Sequence, residues 1–189
     1  MNPTLRTARL ELRPVTPADH AALLEHWSDP LVTRYLFDGA PPTAEQVTGI
    51  IDDSRRDFAA AGYGVWAVRP VGRRGAPDPG LIGTAGLRGL AEEGRTGDDV
   101  EVLYSLRPDR WGSGLAAEAV GAVLEHAFTA LGLPRVLAKV DEANRASAAL
   151  ARRLGMRATA TEPGTLGPVT RLAVDRDAWA VSRHGPPGR

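Results

Sequence analysis

The alternation of apolar and polar positions divides the chain into short strands and amphipathic helices. Across Ala8–Pro14, Leu10 and Leu12 alternate with Arg9, Glu11 and Arg13, the period of two of a half-buried strand. Thr16-Pro17 supplies an N-cap and a proline at the first helical position, predicting a helix to Ser28 with Leu23, Leu24 and Trp27 on its apolar stripe. Asp29-Pro30 breaks it, and Leu31–Leu36 reads as a further short turn of helix. Thr43 and Gln46 form a capping box that opens a second long helix, stopped by Gly62. Tyr63–Arg69 and Leu81–Leu87 predict a hairpin across the proline- and glycine-rich Pro70–Gly80. A polar loop, Ala91–Asp99, then leads to the apolar strand Val100–Leu106.

Beyond that strand the pattern changes to a helical one, and the change occurs at glycine. Arg107–Glu118 reads RPDRWGSGLAAE, with Gly112 and Gly114 just ahead of a helix expected to be the longest and to run to Leu131. Ala116, Val120, Val123, Ala127 and Leu131 mark its buried side. Arg135–Val140 is the next strand and Asn144–Leu154 a short helix ended by Gly155. Met156–Thr161 and Val169–Val174 close the chain as an antiparallel pair around the turn Pro163–Pro168. Asp177–Val181 adds a last helical turn, and His184–Arg189 is expected to fray. The order predicts a mixed α/β layer structure with one βαβ crossover at its centre. No repeat or composition shift divides it, so residues 1–189 read as a single domain.

Composition removes several classes of function. Basic and acidic residues balance at 23 each, which gives no global field to recruit nucleic acid or an anionic membrane. All the basic residues are Arg except Lys139. The absence of cysteine excludes disulfides, thiolate-bound metal and a cysteine nucleophile. The first residues have no apolar signal core, and no apolar run approaches the roughly 18 residues of a membrane span, so a cytoplasmic protein is expected. Of the four histidines, His20 and His26 fall in the first helix, His126 in the long helix and His184 in the tail. No pair has metal-ligand spacing, and all four are expected to be solvated or packed rather than functional.

The glycine stretch is the candidate site. Glycine permits positive φ and close approach, and the first N–H groups of a helix lack intrahelical partners. Together with the helix dipole, Trp111–Ala116 can cradle an anion, most often a phosphate; a plain tight turn is the alternative. Gly112-Ser113-Gly114-Leu115-Ala116-Ala117 also meets a loose dinucleotide fingerprint, with Asp141 after the next strand. Against an NAD site stand the mid-chain position of the glycines, the five residues between strand and glycine, and the single βαβ unit. No Lys-Ser/Thr follows the glycines, so this is not a Walker loop.

Glu101 in the strand, Trp111-Gly112-Ser113-Gly114-Leu115-Ala116 after it, and Asn144-x-x-Ser147 ending in Leu154-Gly155-Met156 together resemble the GNAT superfamily of acyl-CoA-dependent N-acyltransferases. The similarity is closest to the RimJ/RimL-like branch, in which Trp commonly opens the glycine motif, and it runs from Arg9-Leu10 to Trp179. It implies a central six- to seven-stranded mixed sheet with one splayed parallel pair, flanked by helices. It also implies acetyl-CoA as co-substrate, no metal, an amine acceptor (a protein N-terminus or a small molecule), and homodimers as in much of that branch. The diphosphate would lie on Trp111, Gly112, Ser113, Gly114, Leu115 and Ala116, and pantetheine would pair with the strand edge at Tyr104, Ser105 and Leu106, where an N–H would face the thioester oxygen. Asn144 would fix pantetheine or simply cap its helix.

An amine is protonated at neutral pH, so a base has to remove a proton before attack. Glu101 lies near where the family places a catalytic glutamate; a solvated or salt-bridged strand residue is the alternative, and Asp98 and Asp99 are lesser candidates. Many relatives protonate the departing thiolate with a tyrosine four positions after the serine, but Ala151 stands there. Ser147 is the substitute the branch implies, with a small packing residue as the alternative. Trp27, Tyr35 and Phe37 lie where the family shapes its acceptor pocket, and the acidic Asp38, Glu92, Glu93, Asp98 and Asp99 could attract a cationic amine. The reading is an N-acetyltransferase acting by direct attack; a non-catalytic acyl-CoA-binding module is the rival from another class.

Overall fold

The computed structural model describes residues 3–72, 80–90 and 99–184, with side chains described to residue 181. Its strands are β1 (Leu5–Arg6), β2 (Leu10–Pro14), β3 (Val65–Pro70), β4 (Gly83–Gly89), β5 (Val100–Leu106), β6 (Arg135–Asp141), β7 (Arg157–Gly164) and β8 (Gly167–Asp175). Its helices are α1 (His20–Ser28), α2 (Pro30–Leu36), α3 (Ala44–Ala61), α4 (Leu115–Glu125), α5 (Arg145–Arg153) and α6 (Arg176–His184). The strands follow the order β1-β2-β3-β4-β5-β6-β8-β7. Among the described residues eight strands replace the expected six or seven. The addition is β1, whose two residues are too few to show any period in sequence.

Two compact units divide the chain. The first comprises residues 1–88 and 103–123, and so contains β1 to β3, β4 up to Arg88, the second half of β5 and the start of α4. Its antiparallel pairs run β1–β2, β2–β3 and β3–β4. Val15, Leu23, Trp27, Val47, Ile51 and Val65 anchor its core, with Leu103 packed against them. The capping box on α3 forms as the sequence requires: Thr43 Oγ1 accepts from Gln46 N at 3.2 Å and Gln46 Oε1 from Thr43 N at 2.8 Å. Gly62 closes α3 at φ 76°. At 18 residues α3 is longer than α4, against expectation. Asp29 both ends α1 and starts α2, accepting from Leu31 N at 2.8 Å.

The second unit comprises residues 89–102 and 124–189. Here β5 pairs in parallel with β6 at Glu101↔Leu137, the expected βαβ crossover, and β6–β8 and β7–β8 are antiparallel. The end of the α4 segment is not the regular helix predicted to Leu131. It widens into a π turn over His126–Ala130, where Leu131 N donates to His126 O at 3.1 Å. That turn leaves both Ala127 and Phe128 buried, and the Phe128 ring lies 6.0 Å from that of Trp179. Trp179 in turn donates to Glu125 Oε2 at 3.0 Å. The last helix, α6, is longer than the predicted turn and takes in His184, expected to fray. Residues 185–189, like Glu92, Glu93, Asp98 and most of Pro70–Gly80, lie outside the described residues.

Candidate acyltransferase site

In the first unit the glycine loop has the backbone its sequence anticipates. Pro108–Arg110 makes a single 3-10 turn, Gly112 stands at φ +71° and Gly114 at φ +78°, and α4 starts at Leu115. No residue among those described accepts from the N–H groups of Gly112, Ser113, Gly114, Leu115, Ala116 or Ala117. The first closing bond is Glu118 N to Gly114 O, 3.2 Å. Residues 111–114 are exposed and 115–117 half-buried. Six consecutive free donors at the positive end of a helix are the kind of group that can hold an anion.

The loop is held from outside by residues that sequence reasoning did not find. Arg9 donates from Nη1 to Ser113 O at 3.0 Å, and its Nε and Nη2 each stand 2.6 Å from Glu118 Oε2. Glu118 Oε1 accepts from Arg9 N at 2.9 Å and from Thr7 Oγ1 at 2.5 Å. Burial opposes the charge on Glu118, but these bonds from Thr7 and Arg9 outweigh it and hold its pKa below the usual carboxylate value. Trp111, 53% exposed, donates from Nε1 to Leu106 O at 2.8 Å and ties the loop to the end of β5.

Ser105 of that strand belongs to a buried polar chain. Its Oγ lies 2.8 Å from His26 Nε2 and 3.0 Å from Thr84 Oγ1, and Trp27 Nε1 donates to Thr84 Oγ1 at 3.4 Å. Burial lowers the His26 pKa to about 4; Asp29 pulls it up and Arg107 down. Of the aromatics expected at an acceptor pocket, Trp27 is 2% exposed and a core residue. Phe37 meets it edge-on at 5.6 Å and is half-buried, as is Tyr35, under the Arg34 guanidinium at 5.1 Å.

In the second unit Glu101 is 5% exposed, so the solvated strand-edge alternative falls. Asn144 is the N-cap of α5, its Oδ1 accepting from Ser147 N at 3.1 Å. Ser147 and Leu154 are half-buried and Leu150 and Ala151 buried, which places Ser147 on the packed face of the helix. Gly155, at φ 82°, terminates it. Among the described residues no group of three His, Cys, Asp or Glu could hold a metal, and no helix is long and apolar enough to cross a membrane.

A family described as "Acetyltransferase (GNAT) domain" matches residues 9–157, from Arg9 to the start of β7. The chain belongs to the GNAT acetyltransferase family. It is 34% identical over 158 residues to the uncharacterized N-acetyltransferase YoaA of Bacillus subtilis, a match covering 83% of this chain and 84% of that one. An acetyltransferase from Agrobacterium tumefaciens superposes with a TM-score of 0.73 at 28% identity, covering 91% of this chain and 94% of its own. The spermidine N-acetyltransferase of Vibrio cholerae, solved with CoA and spermine, shares the fold at a TM-score of 0.74 and 18% identity over 92% and 99% of the two chains. This GNAT protein is thus an enzyme of acetyl transfer, and membership favours catalysis over both the acyl-CoA sensor and the NAD-binding domain. GNAT enzymes take the acetyl group from acetyl-CoA and pass it to an amine.

Proposed function

We propose that this GNAT enzyme is a RimJ/RimL-like N-acetyltransferase, one acyltransferase domain over residues 1–189, that acetylates a primary amine by direct attack in the cytoplasm, where acetyl-CoA and free amines meet. The observation carrying this reading is the run of unengaged N–H groups from Gly112 to Ala117. Acetyl-CoA, when bound, supplies an acyl group already activated as a thioester. Gly112, Ser113, Gly114, Leu115 and Ala116 hold its diphosphate from the backbone, with Trp111 as the wall of the loop. Tyr104, Ser105 and Leu106 hold pantetheine, and an N–H in that segment faces the acyl oxygen, a type of contact worth about 3–4 kcal/mol on a barrier. Glu101 takes the proton from the ammonium of the acceptor, through water or directly. Ser147 hydrogen-bonds the departing sulfur, and Asn144 keeps Ser147 in place by capping α5.

Tyr35 and Phe37 border the acceptor. A protein N-terminus and a small-molecule amine both fit this chemistry; polyamines join the panel because the Vibrio cholerae neighbour was solved with spermine. The test is thiol release from acetyl-CoA against a panel of peptide N-termini, lysine peptides, polyamines and aminoglycosides. Glu101→Gln should lower kcat by about 10²–10⁴-fold and Ser147→Ala by less, with acetyl-CoA affinity kept in both. Binding of acetyl-CoA with no turnover on any amine would overturn the reading.

A further inference from the structure

His26 is a buried polar residue to which the reaction as described assigns no part. It projects from α1 and is 5% exposed, and Nε2 meets Ser105 Oγ at 2.8 Å. Its other nitrogen, Nδ1, is buried and has no hydrogen-bond partner among the described residues. Buried polar atoms are nearly always satisfied, so an orphan needs an explanation. Two tautomers are available, and they leave different orphans. A proton on Nδ1 leaves a buried N–H with no acceptor; a proton on Nε2 leaves only a bare lone pair. Orphaned N–H groups are the rarer of the two in native proteins, so the proton belongs on Nε2, which then donates to Ser105.

The remaining hydroxyls follow. Thr84 Oγ1, almost fully buried, accepts from Trp27 Nε1 and sits 3.0 Å from Ser105 Oγ. With the Nε2 proton spent on Ser105, either Ser105 or Thr84 keeps a hydroxyl proton with no partner in this chain of contacts. Placing that proton on Thr84 would bury an unmet donor, whereas Ser105 is half-buried. Thr84 therefore donates to Ser105, which accepts twice and keeps its own O–H for a further acceptor.

We infer that His26 is a positioning residue that, with Thr84, fixes the polarity of Ser105 so that its hydroxyl donates to an acceptor oxygen of the bound acyl-CoA. The inference rests on the proposed reading that the Tyr104–Leu106 segment carries the acyl-pantetheine arm, and it adds a side-chain donor to the backbone one. His26 never touches the ligand; it acts through Ser105. The partners lie 79 residues apart in sequence, so no local motif announces them.

The test uses the full chain with acetyl-CoA as the probe. Long-range proton–nitrogen correlation spectra should show His26 neutral with the proton on Nε2, and its Nε2 resonance should move when acetyl-CoA is added to the wild type but not to Ser105→Ala. His26→Leu should lower kcat about tenfold, the loss of one hydrogen bond. His26→Gln, which keeps a donor at the Nε2 position, should recover most of that loss. Ser105→Ala should match His26→Leu, and the double variant should be no worse than either. The Nδ1–H tautomer, losses that multiply, or a glutamine as impaired as the leucine would each overturn it, and the tautomer is read on wild-type protein should a variant fail to fold. Wild type that binds no acetyl-CoA sinks the proposed function and this use of Ser105 together, whereas binding with an unmoved Nε2 resonance sinks the inference alone.

Discussion

Protonating His26 should destabilise the enzyme over a definable span of pH. In the folded protein burial holds the imidazole pKa at about 4, while in the unfolded chain it returns to 6.5. The folded pKa is the depressed one, so below pH 6.5 the unfolded chain takes up a proton that the folded chain refuses. Stability contributed by neutral His26 is fully present above pH 6.5 and is lost as pH falls toward 4. Each unit of that window is worth about 1.4 kcal/mol, so the loss by pH 4.5 is about 2–3 kcal/mol. Asp29 and Arg107 act on the imidazole in opposite senses, leaving desolvation as the dominant cause. Urea unfolding followed by tryptophan fluorescence, at steps from pH 7.5 to 4.5, measures it in wild type and His26→Gln. Glu118 and Asp57 also have shifted carboxyl pKa values, but they titrate in both proteins and cancel in the difference. The wild type should lose about 2–3 kcal/mol more than the glutamine variant. Parallel curves would refute the reasoning, because His26 would then charge as readily folded as unfolded.

Three further outcomes follow from the loop and the strand behind it. Arg9→Ala should weaken acetyl-CoA binding about tenfold by calorimetry, since it frees Ser113 O and strips the Glu118 carboxylate of its counter-charge beside the proposed anion site. Arg9→Ala with Glu118→Gln should bind better than Arg9→Ala alone, and an equal or weaker double variant would remove the electrostatic part of that account. Gly112→Ala meets no neighbour within 4 Å, so its cost is the positive φ alone, about 1 kcal/mol in melting experiments, with a matching loss of acetyl-CoA affinity. Gly83→Ala would bring a Cβ to 2.2 Å from Ser105 O and 2.9 Å from Leu106 Cα, and should cost about 1–3 kcal/mol, or more, read as a lowered Tm.

What the sequence disclosed was local, and what it withheld was long-range. The capping box of α3, the boundaries of β5, the glycine loop and the Asn144 cap are each written within a few residues, so reading them required no knowledge of the fold. Glu101 and Ser147 stood out only through the family pattern, and burial then separated Glu101 from a surface carboxylate. Nothing within a helical turn of His26 suggests a role, so in sequence it reads like the other histidines; its partner comes from β5. Arg9 read as one polar position of an alternating strand, yet it reaches across 109 residues to Glu118. The two-residue β1 and the π turn at His126–Ala130 escaped for a different reason: one is too short for any period, and the other breaks the period that predicted a continuous helix.

In the proposed reading, the contacts of Arg9 and Glu118 also keep a loop with two glycines in shape to cradle an anion. An amide that braces the loop is unavailable to a ligand, so a preorganised anion site has to be stiffened without using its own N–H groups. The bonds here obey that constraint. Ser113 is held through its carbonyl by Arg9 and through its hydroxyl by Arg110 O at 2.5 Å. Trp111 is held through its indole nitrogen, and its backbone N–H, which precedes the free run, closes the 3-10 turn onto Pro108 O at 3.2 Å. Every brace within Ser113–Glu118 therefore uses a carbonyl, a side chain or the first intrahelical bond, while Gly112 through Ala117 keep their donors free. Ordering those glycines before the ligand arrives moves an entropic cost of about 1–2 kcal/mol per residue from binding to folding. The Arg9–Glu118 contacts, formed on folding, help to offset it. On this argument the arginine contributes to acetyl-CoA affinity chiefly by holding the backbone still, and a lysine, which cannot reproduce the paired Nε and Nη2 contacts while reaching Ser113 O, should not replace it.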